Sequence, residues 1–338
     1  MRILVTGAPG WLGSRFVEVL RRGWDGETGD LPAPPACSVR CLVLRGQNDT
    51  QLRALGCEIV YGDVAEKESL KPALRDVDCV FHLVGLIHPR RIRDLFLVNS
   101  LGTKNMVEAA LKAKVRKFIY VSSNSPAGHN TGWNRPMREE DPVRPYKAYG
   151  KSKLLAEQEV QRAALSGGME TVVLRSCWYY GPGQPLRQTR FFTMIKSGRP
   201  IFFGGGRNQR SMAYIDNVVQ ALLLAERSSQ ANGKIYWVTD ERPYSTLEIY
   251  QTVADLLGVK LAPRFVPAAT STLCEFVDGA LQRFGLYSPE IHVAGEMAKD
   301  ISCSVEKAKR ELGYRPAISL REGMRRSIEW CRTQGIPI

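Results

Sequence analysis

Glycines 7, 10 and 13, in Thr6-Gly-Ala-Pro-Gly-Trp-Leu-Gly13, follow an apolar run that starts at Arg2 and open an amphipathic stretch that ends at Arg22. No other feature restricts the fold of this chain as strongly. A strand that turns through missing Cβ atoms into a helix begins a β-α-β unit, whose next strand lies parallel to the first and whose helices cover the sheet. The N-terminal half keeps that alternation. Short β-branched runs at 2–6, 39–44, 57–61, 79–83, 117–122 and 171–175 predict strands, and stretches at 13–22, 69–75, 95–113 and 149–166 predict helices. The strand runs are continuously apolar, as strands buried on both faces are. The expected fold class is α/β, a doubly wound parallel sheet with a smaller, mixed C-terminal lobe.

The expected division is a dinucleotide-binding domain over 1–178 and a substrate lobe over 179–338, with 213–240 returning to the main sheet. Beyond Arg175 the pattern loses its regularity at Gly181-Pro-Gly183, Gly204-Gly-Gly206 and the prolines 263 and 267. A Pro/Gly-rich insertion at 24–37 interrupts the first β-α-β unit at the end of the sheet away from the ligand-binding strand ends.

The 338 residues suffice for a large core. Met1 leads straight into a strand, leaving no room for a signal peptide, and no apolar run approaches the roughly 18 to 20 residues of a membrane span. A soluble, cytoplasmic protein is expected, although 265–286 is apolar enough to rest on a membrane or an apolar partner. The eight cysteines are scattered, without Cys-x-x-Cys pairs or a histidine cluster at zinc spacing, so no metal site is expected. The net charge of +13 is spread along the chain without interleaved aromatics, which argues against a nucleic-acid partner.

The glycine turn is suited to a dinucleotide. Missing Cβ atoms let the backbone approach a pyrophosphate, which then meets free N–H groups at the helix start. The spacing, Gly-x-x-Gly-x-x-Gly, is a variant of the usual fingerprint. Asp63, after the third strand, offers a contact to an adenine edge; a plain strand-end turn is the other reading. At the end of the second strand, Leu42-Val-Leu-Arg45 supplies an arginine and no acid. A guanidinium suits a 2′-phosphate, which favours NADP(H) over NAD(H).

Tyr149 and Lys153 are four residues apart and share one face of a helix. An ammonium beside a phenol favours the phenolate, so Lys153 is expected to lower the Tyr149 pKa and make it a general acid/base. Ser123, closing the strand-like run Lys117-Phe-Ile-Tyr-Val-Ser-Ser123, is placed to hydrogen-bond a substrate oxygen.

With these pieces together the chain resembles the extended short-chain dehydrogenases/reductases, over nearly its whole length. His82-Leu-Val-Gly85 is similar to the family's His-Leu-Ala-Ala strand end, and Asn99, in Val-Asn-Ser-Leu-Gly-Thr103, to its fourth catalytic residue. Arg175, Tyr180-Gly-Pro-Gly183, Tyr214-Ile-Asp216 and Glu311-Leu-Gly-Tyr-Arg-Pro316 resemble its C-terminal landmarks. The resemblance implies Tyr149 as acid/base and Lys153 on the nicotinamide ribose. It also implies Ser123 on the carbonyl and Asn99 holding a relay water. Asn99 as an ordinary residue at a helix N-terminus is the alternative. The implied cofactor shell is Gly7, Gly10, Trp11, Leu12, Gly13, Arg45, Asp63, Val64, Leu83, Val84, Gly85 and Val121, with Tyr149 and Lys153. A homodimer through 95–113 and 149–166 is implied as well.

Two substrate classes compete. Trp178 stands where nucleotide-sugar enzymes of the family carry an Asn for the diphosphate, and an indole suits an apolar substrate better. The C-terminal pattern resembles the branch of 3β-hydroxysteroid dehydrogenases and dihydroflavonol reductases, which implies alcohol/ketone interconversion. The stripe Leu273, Phe276, Val277, Leu281 and Phe284 either roofs an apolar pocket or packs on its own lobe, the simpler reading. Arg210 favours the alternative, a nucleotide-sugar epimerase or dehydratase with tightly bound NAD. Ser125 and His129 are further candidate substrate contacts.

Overall fold

The computed structural model describes residues 1–24, 31–130 and 135–338. Its first half runs β1 (Arg2–Thr6), α1 (Trp11–Arg22), β2 (Ser38–Val43), α2 (Thr50–Ala54), β3 (Glu58–Tyr61), β4 (Cys79–His82), α3 (Ile92–Leu95), a π-helical segment (Phe96–Leu101), α4 (Gly102–Lys112), β5 (Lys117–Ser123), α5 (Lys147–Leu165) and β6 (Glu170–Ser176). The second half continues with β7 (Trp178–Tyr180), α6 (Leu186–Lys196), β8 (Ile201–Phe203), β9 (Gln209–Arg210), β10 (Met212–Tyr214), α7 (Ile215–Arg227) and β11 (Lys234–Trp237). It closes with β12 (Tyr244–Ser245), α8 (Thr246–Leu257), β13 (Arg264–Val266), α9 (Ala268–Arg283), α10 (Pro289–Glu296), α11 (Glu306–Leu312) and α12 (Leu320–Thr333).

Seven parallel strands form the central sheet in the order β11-β6-β5-β4-β1-β2-β3. Because the apolar runs are buried on both sides, each strand feeds two cores. Ile3 and Val5 of β1 meet Phe16, Val17 and Leu20 of α1 on one face, whereas Leu4 meets Val80, Met106 and Phe118 on the other. The strand order reverses between β1 and β4, which opens a crevice over their carboxyl ends. A third core, including Phe192, Phe202, Tyr250, Met324 and Ile328, holds the C-terminal lobe together.

Three stretches differ from the sequence expectations. The run 69–75 is a 3₁₀ turn at Lys67–Leu70 followed by irregular turns. Leu70, Ala73, Leu74 and Val77 have helical spacing and are buried, but Pro72 has no N–H to give an α-helical bond. The helix expected at 95–113 begins at Ile92 and carries the π segment. The stripe on 272–284 does lie on a helix, α9, but Leu273, Phe276 and Phe284 are exposed and do not pack on their own lobe. Of the 24–37 insertion, 25–30 lie outside the described residues. Its ends are tied down by Trp24 Nε1 donating to Pro32 O (2.9 Å) and Ser38 N to Met1 O (3.0 Å). Among the described residues no helix is long and apolar enough to cross a membrane.

Candidate active site

At the crevice the glycine turn is packed to its limit. Gly7 has φ +87°, and a Cβ there would lie 2.7 Å from the Leu83 carbonyl carbon. Cβ atoms at Gly10 or Gly13 would each come within 2.5 Å of Gly7 O. The first turn of α1 has no side-chain cap, so its amide groups are left for an anion. A dinucleotide fits this cradle: the backbone is bare where a pyrophosphate would approach, and the amides point at it.

The sequence-predicted shell divides into backbone and side-chain contributions. Trp11 Nε1 donates to Pro182 O (2.7 Å), its ring edge meets Tyr179 at 6.2 Å, and Leu12 packs into two cores. Both side chains are therefore committed to packing. Leu83 and Val84 lie directly against Gly7, and a Cβ on Gly85 would be 3.9 Å from Lys153 Nζ. Val121 is buried in β5, and Val64 is buried against Gly102. Asp63 Oδ1 accepts from Ala65 N (2.9 Å), which fixes the turn after β3. Arg45, exposed just beyond β2, lies 5.6 Å over the Tyr61 ring.

Ser123 ends β5, and Tyr149 and Lys153 sit on α5. Gly150 lets that helix approach, since a Cβ there would be 2.4 Å from Ser125 O. The fold brings Ser123, Ser125, Tyr149 and Lys153 together. Burial pushes the Tyr149 phenol up to about 12, against the opposing hydrogen bond with Ser123. Burial also pushes Lys153 down to about 7, partly opposed by the Glu157 carboxylate. This corrects the expectation that Lys153 lowers the Tyr149 pKa. Lys153 Nζ turns instead to Val121 O (2.8 Å) and sits 4.3 Å over the Tyr120 ring, so desolvation decides both groups.

Asn99 is buried inside the π segment, away from any helix N-terminus. Its Oδ1 accepts from Leu86 N (2.8 Å), and its Nδ2 donates to Leu86 O (2.9 Å) and Ser152 Oγ (3.1 Å). It thereby joins the loop after β4 to α5. His82 bridges Thr6 and Thr103 at 2.8 and 3.1 Å, and burial, aided by the charge of Lys153, holds it down near 3 and so neutral. Below Lys153, Glu157 accepts two bonds from Arg175, at 2.9 and 2.7 Å.

On the C-terminal side, Trp178 is half-exposed with the Arg210 guanidinium 5.1 Å over its ring. Arg210 is 3 % exposed; its Nη2 donates to Glu296 O and its Nη1 has no hydrogen-bond partner among the described residues. His129 meets the Tyr146 ring edge-on at 6.4 Å. Sequence reasoning missed the rest of this wall. The Tyr146 ring lies 5.5 Å from that of His292, tilted by 49°, and His88 Nδ1 lies 3.0 Å from the Tyr287 hydroxyl. Glu296, raised by its own burial, also helps raise Tyr149, Tyr146 and Tyr287 through its negative charge. No motif marks Tyr287, His292 and Glu296, because only the α9–α10 hairpin carries them to α5.

The profile of the 3-beta hydroxysteroid dehydrogenase/isomerase family matches residues 4–267. The uncharacterized protein y4nL of Sinorhizobium fredii is 41 % identical, across 98 % of this chain and 96 % of its own. A 4-hydroxy-2-methyl-3-oxo-4-farnesyl-3,4-dihydroquinoline-1-oxide ketoreductase of Stigmatella aurantiaca is 26 % identical, across 96 % and 95 %. Among solved structures, a UDP-glucose 4-epimerase of Thermotoga maritima has the same fold, with a TM-score of 0.78, 22 % identity and 99 % of both chains covered.

Proposed function

The chain belongs to the 3-beta hydroxysteroid dehydrogenase/isomerase family, and on that premise we propose that it interconverts a secondary alcohol and a ketone on an apolar substrate, using NADP(H). The observation that carries this reading is the meeting of Ser123 and Tyr149 at the carboxyl end of β5, with Lys153 beneath and the glycine cradle beside them. When bound, the nicotinamide supplies or accepts the hydride. Ser123 donates to the substrate oxygen and fixes its position against Tyr149. Tyr149, with its pKa near 12, carries its proton at neutral pH and gives it to the carbonyl oxygen in the reductive direction. Asn99 and Ser152 hold the loop after β4 against α5, which keeps Tyr149 in register with the strand ends. The test is nicotinamide absorbance during incubation with apolar ketones and alcohols. Net change in the absorbance with turnover supports the proposal, and conversion of a nucleotide sugar without net change overturns it.

Arg210 favours that second reading: a buried guanidinium whose Nη1 has no partner among the described residues suits an anionic substrate group. Trp178, half-exposed at the same place, supports the apolar substrate. A homodimer through α4 and α5 is part of the proposal, because the outer face around them leaves Leu97, Leu101 and Leu155 exposed.

Arg45 supports NADP(H). Arg45→Asp removes a fork of charge-assisted bonds to the 2′-phosphate and is expected to cut kcat/KM for NADPH by roughly 10- to 100-fold, with NADH little affected. An unchanged preference between the two would rule out the assignment.

The Lys153 titration gives a pH prediction. With its pKa lowered to about 7, Lys153 is charged below that pH and neutral above it. In the proposed mechanism the charged form donates to the nicotinamide ribose, and a charge-assisted bond of that kind is roughly twice as strong as a neutral one. Ketone reduction is therefore expected to be fastest below pH 7 and to fall as pH rises through about 7. A kcat profile flat from pH 6 to 8, roughly a unit either side of that pKa, would contradict it.

A further inference from the structure

Helix α9 is inside out. A helix on a water-soluble surface ordinarily buries its apolar stripe and exposes its polar one. Here Leu273, Phe276, Val277, Ala280 and Phe284 follow the spacing i, i+3, i+4, i+7, i+11, so they form a single stripe, and all are exposed. Phe276 is 76 % and Phe284 80 % exposed. The opposite stripe faces the protein and is polar.

Polar bonds hold that inner stripe. Ser271 Oγ donates to Ala294 O (2.8 Å) and Gly295 O (3.0 Å), and buried Asp278 pairs with His292 Nδ1 (2.8 Å). Lys147 Nζ donates to Glu275 O (2.9 Å), and Gln282 Oε1 accepts from Ala148 N (3.0 Å). The apolar stripe thus contributes little to holding the helix in place. It continues into Leu286 and is joined by Phe265 of β13, both more than half exposed.

The charges around it have one dominant sign. Arg264 and Arg283 are exposed and form no ion pair among the described residues. The acids of α9 are used internally: Glu275 pairs with Lys299 (2.7 Å) and Asp278 with His292. Glu290 is the exposed acid of the α9–α10 hairpin.

We propose that this face docks on an anionic lipid bilayer, with Leu273, Phe276 and Phe284 entering the interfacial layer and Arg264 and Arg283 meeting headgroup phosphates. A second copy fits less well, since a two-fold interface would set a cationic rim against itself. The proposal stands apart from the substrate reading, because it concerns the outer face of the hairpin whose inner face borders Tyr149.

The test is co-sedimentation of the full chain with vesicles of phosphatidylcholine alone and of phosphatidylcholine mixed with phosphatidylglycerol. The wild type is expected to bind the mixed vesicles and to leave them as salt rises. The pair Phe276→Ser with Phe284→Ser should keep the wild-type Tm and lose roughly tenfold or more in binding. Arg283→Glu alone should lose roughly fivefold or more. Leu165→Ser, on an exposed site at the far end of α5, should bind as wild type. Wild type staying in the supernatant with both vesicles, or equal binding to both, overturns the proposal. So does a wild-type dimer that the double serine variant converts to monomer in light scattering, which would mean that a second copy covers the stripe.

Discussion

Replacing Tyr149 with phenylalanine is expected to lower kcat by roughly 10²- to 10⁴-fold, the usual contribution of a positioned proton donor. Cofactor affinity should stay within about twofold, because the ring, its packing against β5 and the glycine cradle are untouched. The size of the effect follows from the proton. With its pKa held near 12 the half-buried phenol keeps its proton at neutral pH and delivers it from a fixed position, which phenylalanine cannot do. Ser123 remains as a donor to the substrate oxygen, but it has no comparable acidity to spend. Steady-state kcat and a cofactor titration by fluorescence, on the same preparation, separate the two quantities. Retained turnover would remove Tyr149 from the proposed mechanism.

The second large effect concerns stability. Glu157→Ala is expected to destabilise the fold by about 3–5 kcal/mol, because it strands a buried charge. Arg175 and Glu157 are 2 % and 1 % exposed, and the two bonds between them are the ion pair that joins α5 to β6. Arg175 Nη1 already lacks a hydrogen-bond partner among the described residues, so little remains to take up the freed guanidinium. The same carboxylate opposes the loss of charge on Lys153. The variant should therefore also move the fall in ketone reduction to lower pH. Denaturant unfolding measures the first effect and the pH profile the second. A loss of under about 1 kcal/mol would show that water or a neighbour replaces Glu157, against the geometry described.

The parallel sheet was legible in the sequence because strands buried on both faces leave continuous apolar runs, and because Gly7, Gly10 and Gly13 are required by contacts that any Cβ would violate. The later strands were not. β9 and β12 are two residues long and β7, β8, β10 and β13 three, too short to show any period. Periodicity misled at 69–75, where the spacing is helical but Pro72 blocks the helix. It also reported only half the truth about α9: a stripe has a spacing but no direction, and only the tertiary bonds of Ser271 and Asp278 show which side faces in. At the site, Ser123, Tyr149 and Lys153 could be found by spacing. Their protonation could not, since desolvation is a property of the assembled core. Tyr287, His292 and Glu296 were invisible for a related reason, because they reach α5 from more than a hundred residues away through a hairpin without a motif.

The π segment at Phe96–Leu101 carries a consequence for which changes in chain length the site can absorb. A π turn holds one residue more than an α turn. Deleting one residue there would let the helix close into regular α geometry at no cost to its own hydrogen bonding, and because the π turn takes up its extra residue within a single turn, the helix on either side would keep its phase. What changes is local: Asn99 lies inside the segment and reaches Leu86 and Ser152 from it. The cost of a deletion here is therefore expected to fall on the tether between the loop after β4 and α5, and hardly on the packing of α3 and α4.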